Sequence, residues 1–326
     1  MTGPNTPDLP EDLSLRFHAS QRPGRVRARL SEALEQRSLP ARFLYDSPAQ
    51  AARWLAYHAA WSPSRTEEEL IDLYQRAFRS TLGRFESPDL VHVSLGCGGG
   101  RKDALLAEAA QLRRLPLRAV LSDTSPSLVM EAMSAHPGSA EGLVIDLESS
   151  PSRAAFTRAH PALWTAFGMV PNLDADRFLG WLAGCLGPDD RALVSANLHS
   201  KPWPDAGEDI LPQYDNPEAR AWYLGALAEL GFGEAEVRVR GRARSPDGAA
   251  WRVEVEARSH QPGRLLAFDR EFPVEAGSTF SVFFSNRFTP AAFEKTLVAA
   301  GLHPLERWRF AGDEEGLWLV GRLPDV

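Results

Sequence analysis

The stretch VHVSLGCGGGRKD, residues Val91–Asp103, is the part of this sequence that decides the fold. Its apolar start predicts the end of a buried strand, and the glycines that follow allow a sharp turn without obstruction by Cβ atoms. A helical pattern begins near Lys102. A strand, a glycine turn and a helix present free N–H groups to an anionic or carboxylate-bearing ligand. A tight bend without any binding role can have the same local pattern. The rest of the chain must therefore decide between a ligand-binding turn and a simple bend.

Composition excludes several classes of function. The chain has 326 residues and a formal net charge of −7, whereas binding to nucleic acid requires clustered Lys and Arg. No apolar run approaches the roughly 20 residues that span a bilayer, and the first residues lack the pattern of a signal peptide. Cys97 and Cys185 provide neither a disulfide framework nor zinc spacing. We expect a cytoplasmic protein that binds a small molecule, and no nucleic acid, membrane or metal.

Strands and helices alternate after the glycine turn. Apolar strands are predicted over Leu117–Asp123, Gly142–Glu148 and Arg191–Leu198, and Ala162–Leu173 is a further apolar run. Helical patterns with one apolar face separate them, and Ser125 and Asp174 are expected to cap the starts of two of these helices. Strands that are apolar throughout, and that alternate with helices, predict a parallel sheet covered on both faces.

The remainder of the chain has a different character. Helices are predicted over Arg25–Gln36, after a cap at Asp46 or Ser47, and after a capping box that starts at Thr66. Past Leu198, two strands of alternating pattern flank a turn at Ser245–Gly248, and their opposed Arg and Glu rows are interpreted as surface pairs rather than a ligand site.

The C-terminal residues return to the pattern of the sheet domain. A capped helix is predicted over Ala291–Ala300, and two strands after Gly301 are expected to pair antiparallel at the sheet edge. We therefore predict a sheet domain from residues 61–198 and 286–326. Residues 1–60 and the inserted residues 199–285 are predicted to form the helical part and the inserted part of a second, substrate-binding domain.

Residues suited to a ligand follow three of the strands. The glycine turn with Lys102, then Asp123, then Asp146 come at carboxyl ends of parallel strands, where open α/β sheets bind ligands. An acid after the second strand suits a ribose diol, and one after the third suits the exocyclic amine of adenine. Each acid alone could be a helix cap. NAD would use the same ribose contact, but Arg101 interrupts a G-x-G-x-x-G pattern, and the C-terminal antiparallel pair favours S-adenosylmethionine.

The chain resembles the histidine-specific, S-adenosylmethionine-dependent methyltransferases, whose best-known members trimethylate the α-amine of histidine on the way to ergothioneine. The similarity runs from about Leu39 to the C-terminus. It rests on the order and spacing of several segments, which are LPARFLYDS (39–47), SPSRTE (62–67), LGCGGGRKD (95–103), LSDTSP (121–126), IDLE (145–148), the Asn172 segment, QYDN (213–216) and FSNRFT (284–289). The resemblance implies an α/β fold, with a class I methyltransferase Rossmann-like sheet and a second α+β domain.

The resemblance also assigns roles to individual residues. Contacts to S-adenosylmethionine fall to Gly96, Gly98, Lys102, Asp123, Asp146 and Leu147, and contacts to an amino-acid substrate fall to Tyr45, Asn172, Tyr214, Phe283 and Ser285. Asn172, near the substrate amine, and Tyr45 are the implied catalytic residues, and Tyr214 is placed near the carboxylate. An amide can orient an amine lone pair, and a phenol can donate to a carboxylate. Tyr45 and Tyr214 also suit buried core positions.

The substrate-binding segments depart from the family pattern. Phe283 stands where histidine-methylating members carry a glutamate that grips the imidazole, and Trp61 and Ser62 stand where a tyrosine is usual. Since phenylalanine cannot accept the ring N–H, histidine loses its main specificity contact. The pocket is expected to be more apolar or aromatic through residues most of which also suit core positions, namely Trp54, Trp61, Trp203, Phe283 and Phe284. We expect N-methylation of another amino acid or amino-acid-derived molecule, in secondary metabolism. The alternatives are non-methylating chemistry on the same fold, such as intramolecular displacement or ring closure, and an accessory role beside a protein partner.

Overall fold

The structure is a computed structural model that describes residues 14–62, 68–86, 89–159, 161–201, 205–245, 248–310 and 314–323. The strands are β1 (Leu15–Phe17), β2 (Leu90–Leu95), β3 (Leu117–Asp123), β4 (Ala140–Val144), β5 (Ala162–Ala166), β6 (Arg191–Asn197), β7 (Ala235–Ala243), β8 (Ala250–Ser259), β9 (Gly263–Ala267), β10 (Arg270–Val274), β11 (Thr279–Phe288), β12 (Leu302–Arg309) and β13 (Glu315–Arg322). The helices are α1 (Pro23–Glu35), α2 (Pro48–Trp61), α3 (Glu68–Leu82), α4 (Arg101–Leu112), α5 (Pro126–Ala135), α6 (Ala175–Cys185), α7 (Asp205–Ile210), α8 (Pro217–Ala228) and α9 (Pro290–Ala299).

The described residues form one large sheet of eight strands in the order β1-β4-β3-β2-β5-β6-β13-β12. Strands β2 to β6 pair parallel, and β13 runs antiparallel to both β6 and β12. The order from β4 to β12, with one antiparallel strand inside the far edge, is that of a class I methyltransferase. The predicted Rossmann-like α/β sheet is confirmed.

Two strands of this sheet differ from the prediction. The two C-terminal strands pair antiparallel as expected, but β13 lies inside the sheet between β6 and β12, so that β12 alone forms the edge. At the opposite edge, β1 pairs parallel with β4, with Leu15 opposite Gly142. A strand of three residues is too short to show a period of two, and nothing in the sequence predicted it.

A second core lies outside the large sheet. It contains apolar residues from α1 and α2 together with residues between Ile210 and Phe283, and it packs on a three-stranded antiparallel sheet of β7, β8 and β11. Strands β9, β10 and β11 were not predicted. On the exposed face Arg240 forms ion pairs with Glu254 and Glu256, which confirms the interpretation of the opposed rows. Strand β11 runs through the predicted boundary between residues 285 and 286, and the domain division itself stays a prediction.

Helix starts follow the predicted caps. The side chains of Ser47, Ser125, Asp174 and Thr289 each accept a hydrogen bond from a backbone N–H in the first turn of α2, α5, α6 and α9, respectively. The predicted capping box at Thr66 lies outside the described residues. None of the described helices has the length and apolar character needed to cross a membrane.

Candidate active site

The glycine turn after β2 takes a conformation that favours glycine. Gly96, Gly98 and Gly100 have φ angles of +68°, +52° and +72°. A Cβ atom on Gly96 would lie 2.1 Å from Sδ of Met169, and one on Gly98 would lie 2.7 Å from the Trp54 ring. The side chains of Met169 and Trp54 therefore approach the turn so closely that only glycine fits at Gly96 and Gly98.

Asp123 at the end of β3 is tied to the glycine turn. One carboxylate oxygen accepts the Gly98 N–H at 3.1 Å, and the other accepts the Ser125 N–H at 3.0 Å. Burial raises the pKa of this carboxyl, and the two backbone hydrogen bonds oppose that rise. An ionised carboxylate has about four acceptor positions, so Asp123 keeps capacity for two hydroxyl donors. A ribose diol presents that pair.

Asp146 lies two residues beyond β4. The predicted strand Gly142–Glu148 in fact ends at Val144, and Asp146 instead caps a 3₁₀ turn, Leu147–Ser149. Its second carboxylate oxygen pairs with the Arg29 guanidinium of α1, which also pairs with Glu148. Arg29 lies beside the site but was not selected from the sequence, because no local sequence pattern connects it with Asp146 and Glu148, which are far away in the chain.

Lys102 lies in the first turn of α4 and has partners within the protein. Its Nζ donates to the Tyr74 hydroxyl at 2.7 Å and lies 3.4 Å from a Glu315 carboxylate oxygen. The ammonium also faces the Tyr74 ring at 4.3 Å from its centre. The Tyr74 hydroxyl donates to Glu315, and burial raises the Tyr74 pKa. Sequence reasoning missed Tyr74 and Glu315.

All of the predicted site residues line a single cavity of about 280 Å³ at the carboxyl ends of the parallel strands. They are Tyr45, Gly96, Gly98, Lys102, Asp123, Asp146, Leu147, Asn172, Tyr214, Phe283 and Ser285. The structure brings them together, while their individual roles stay predictions. The position agrees with the place where open α/β sheets bind ligands.

Aromatic rings form the wall of the cavity that faces the second core. The Tyr45 ring lies 5.8 Å from Trp54 and 5.4 Å from Trp222, centre to centre, and Tyr57 stacks on Trp222 at 5.5 Å. Such edge and offset contacts add to the apolar burial of each ring. Burial raises the pKa of Tyr45, so this hydroxyl is neutral near pH 7. Trp222 is a further cavity residue that the sequence analysis did not select.

Phe283 continues this wall from β11. It is 8% exposed, and its ring lies 5.4 Å from Trp222 and 6.2 Å from Tyr214. Phe284, which the sequence suggested as a second apolar pocket residue, does not line this cavity, because neighbouring residues of a strand point to opposite faces. Its ring instead lies under the Arg252 guanidinium at 4.1 Å. Trp203, suggested for the same reason, lies outside the described residues.

Asn172 ends a short 3₁₀ turn, Val170–Asn172, between β5 and α6. Its Nδ2 donates to the Gly168 carbonyl at 3.1 Å, which fixes the amide. With Nδ2 held in this way, Oδ1 is the end of the side chain that can accept a hydrogen bond from a ligand. An amide oxygen that faces an amine can orient its lone pair.

Polar side chains converge beside Phe283. The Tyr214 hydroxyl donates to Ser285 Oγ at 3.0 Å, and Asn197 Nδ2 donates to the same Oγ at 3.2 Å. Arg287, two residues further along β11, approaches the Tyr214 hydroxyl at 3.4 Å. Asn197 and Arg287 were not selected from the sequence, although Arg287 belongs to the FSNRFT segment. This cluster is rich in donors and suits an anionic ligand group.

Asp103, beside the glycine turn, and the facing His92 contribute opposite pH dependences to the stability of the fold. Burial raises the pKa of Asp103 from 3.8 to about 7, while burial lowers the pKa of His92, 3.5 Å away, to about 3. Asp103 by itself binds a proton more tightly in the folded state, so its contribution to stability falls as pH rises from about 4 to about 7. The lowered pKa of His92 has the opposite effect, because the contribution of that residue rises as pH rises from about 3 to about 6.5, and the two contributions largely cancel. Ser94 and Lys102 also act on Asp103, and both oppose its pKa rise.

We expect an Asp103→Asn variant to expose the opposite pH dependence that His92 contributes. Because the variant lacks the carboxyl that loses on the order of 2 kcal/mol between about pH 5 and pH 8, its unfolding free energy relative to the original protein should rise by that amount over this range. Urea unfolding at both pH values measures the difference. An unchanged pH slope in the variant would show that Asp103 is ionised in the folded state throughout.

The sequence profile of the family described as "Histidine-specific methyltransferase, SAM-dependent" matches residues 25–321. The chain belongs to this family. It is therefore an S-adenosylmethionine-dependent methyltransferase, in agreement with the strand order and with the resemblance drawn from the sequence. Family membership leaves the substrate open, and no curated protein sequence gives a significant match.

Solved structures also resemble this methyltransferase. An S-adenosylmethionine-dependent methyltransferase from Clostridium acetobutylicum is 10% identical over 83% of this chain and 99% of its own, with a TM-score of 0.47. The 1,6-didemethyltoxoflavin-N1-methyltransferase of Burkholderia thailandensis is 13% identical over 84% of this chain and 88% of its own, with a TM-score of 0.45.

The cavity fits the cofactor of the family. The close glycine turn, the acceptor capacity of Asp123, and Asp146 beside Leu147 provide the partners that a ribose, an adenine amine and an adenine ring require. Lys102 is positively charged but already forms an ion pair with Glu315. A cofactor carboxylate that bound Lys102 would therefore share the ammonium with Glu315. These residues would hold S-adenosylmethionine at the carboxyl edge of the sheet.

Proposed function

We propose that this methyltransferase transfers a methyl group to the amino nitrogen of an amino acid, or an amino-acid-derived small molecule, other than histidine. The observation that carries the proposal is Phe283, which puts a buried phenyl ring where the family has a glutamate for imidazole. A phenyl ring offers the substrate side chain apolar contact and no hydrogen bond. An aromatic cavity wall that differs in this way from the family pattern favours a specialised metabolite as the substrate. We therefore propose that the reaction belongs to secondary metabolism.

The aromatic surroundings of Phe283 support an apolar or aromatic side chain in the substrate. Trp222 and Tyr223 pack against the Phe283 ring at 5.4 Å and 5.8 Å, centre to centre, so the ring is held firmly. An imidazole N–H placed against this wall would lose its hydrogen bonds to water without replacement. Leaving such a group unpaired costs about 1–3 kcal/mol, which corresponds to roughly 5- to 150-fold in binding.

The protein's contribution to the reaction is to position the amine and exclude water. Bound S-adenosylmethionine supplies a methyl group on a positively charged sulfur. Asn172 Oδ1, fixed by the hydrogen bond from Nδ2 to the Gly168 carbonyl, can accept a hydrogen bond from the neutral amine and so direct the nitrogen lone pair. Tyr45 is neutral because burial raises its pKa, so it is a hydrogen-bond partner rather than a base. The aromatic wall keeps water from the amine.

The Phe283→Glu variant tests the role of this position. We expect the original protein to methylate at least one other amino acid in preference to histidine, and the variant to bind histidine at least tenfold more tightly than the original does. Products are identified by mass and affinities by calorimetry. Phe284→Glu is the matched control, because that neighbour lies outside the cavity, and it should leave histidine binding unchanged.

Two results would count against the proposal. Preferential methylation of histidine by the original protein would show that Phe283 does not exclude it. A product that loses a leaving group without gaining a methylene would indicate ring closure or another displacement instead of methylation.

A further inference from the structure

Arg287 is a buried cation on the wall of the cavity. It is 2% exposed and belongs to β11, two residues from Ser285. Its guanidinium donates to the Leu198 carbonyl at 3.1 Å, to Gln213 Oε1 at 3.1 Å and to the Tyr214 hydroxyl at 3.4 Å. All three acceptors are neutral oxygens. Within the part of the chain that the structure describes, Arg287 Nε has no hydrogen-bond partner.

The carboxylate nearest to Arg287 in this hydrogen-bond network is that of Glu314, and the Gln213 side chain lies between the two. Gln213 accepts from Arg287 and donates through Nε2 to Glu314 at 3.1 Å, so its amide separates the two charges. No described carboxylate lies within the 4.0 Å that defines an ion pair with Arg287. Taking a charge out of water costs several kcal/mol unless an opposite charge compensates it. A ligand that brings a negative charge would supply the compensation.

The surroundings of Arg287 add further donors. Asn197 Nδ2 and the hydroxyls of Tyr214 and Ser285 form one connected group beside it, and all of them line the same cavity as Asn172. In an α-amino acid the carboxylate is attached to the carbon that carries the amine. A substrate whose amine faces Asn172 can therefore extend its carboxylate toward this group.

We propose that Arg287 binds the carboxylate of the substrate and thereby restricts the enzyme to free α-amino acids. The inference rests on the proposed function for the position of the amine. Tyr214 and Ser285 contact the same carboxylate, and Arg287 supplies the charge. Amines, esters and amides that share the side chain but lack the carboxylate are poor ligands.

Paired probes test the inference by binding alone. L-tryptophan, L-phenylalanine, L-leucine and L-histidine are each compared with the corresponding decarboxylated amine by calorimetry, with S-adenosylhomocysteine present. The binding preference for acid over amine should be tenfold or more for at least one pair and should approach one in Arg287→Met. Arg252→Met is the matched control, since Arg252 is a half-buried arginine on neighbouring β8 outside the cavity, and it should keep the preference.

Three results would each overturn the inference. The amines could bind as tightly as the corresponding acids, the preference for the acid could survive in Arg287→Met, or none of the four acids could bind. Retained binding of S-adenosylhomocysteine shows that a variant is folded. Should Arg287→Met fail this check, Arg287→Gln decides, because it removes the charge but keeps a polar side chain. Its preference should fall at least threefold, and an unchanged preference would overturn the inference.

Failure of the inference is distinguishable from failure of the proposed function. Acids that bind through Arg287 but gain no methyl group would leave the inference standing and refute the proposed reaction. Methylation of an amine that lacks a carboxylate would do the reverse.

Discussion

A Trp222→Ala variant should lose about 3–5 kcal/mol of unfolding free energy, the range for removing a fully buried aromatic side chain. Trp222 is 1% exposed, and its indole N–H donates to the Leu44 carbonyl at 2.7 Å. Its ring also contacts Tyr45, Tyr57 and Phe283. The substitution thus leaves a large cavity and a broken aromatic wall, and the Leu44 carbonyl loses the shorter of its two hydrogen bonds. Urea unfolding measures the loss.

Trp61→Ala is the control for removing a tryptophan. Trp61 is 36% exposed and donates to Glu218 at 3.0 Å on the surface, so its removal should cost about 1 kcal/mol or less. If both variants lost equal stability, Trp222 would not be the centre of the second core.

An Asp123→Ala variant should bind S-adenosylhomocysteine more weakly than the original protein by a factor of about 100 or more. The carboxylate can accept from two ribose hydroxyls, and hydrogen bonds to a charged group contribute about 1.5–3 kcal/mol each. The variant also loses the link to Gly98 that holds the glycine turn. Calorimetry measures the affinity, and circular dichroism confirms that the variant is folded.

Asp174→Ala is the matched control for Asp123→Ala. Asp174 caps α6 through the Arg177 N–H at 3.0 Å and does not line the cavity, so its removal should lower stability by about 1 kcal/mol and leave cofactor affinity unchanged. Unchanged affinity in Asp123→Ala would remove Asp123 from the cofactor site.

Local features of the sequence account for much of this fold. Apolar runs such as Leu117–Asp123 and caps such as Ser125 predicted strands and helices, because each signal is complete within a few neighbouring residues. Strand β1 has only three residues, and the place of β13 inside the sheet depends on partners from distant parts of the chain. Such sheet order cannot be derived from local periodicity alone.

The same distinction applies to the candidate site. Residues within recognisable segments, such as Asp123 and Asn172, were selected from the sequence and do line the cavity. Arg29, Glu315 and Arg287 were not, because their importance comes from the charges they meet or lack, and those partners are set by tertiary structure. An arginine in a strand gives no sign in the sequence that it is buried without an acid.

The most direct test of the central claim is a competition experiment with the original protein, S-adenosylmethionine and an equimolar mixture of free amino acids that includes histidine, followed by mass analysis. We predict a product in which the amino nitrogen of an amino acid other than histidine has gained one methylene per transfer, with an equal amount of S-adenosylhomocysteine. Methylation of histidine ahead of all others, or consumption of an amino acid without methyl gain, would contradict the account.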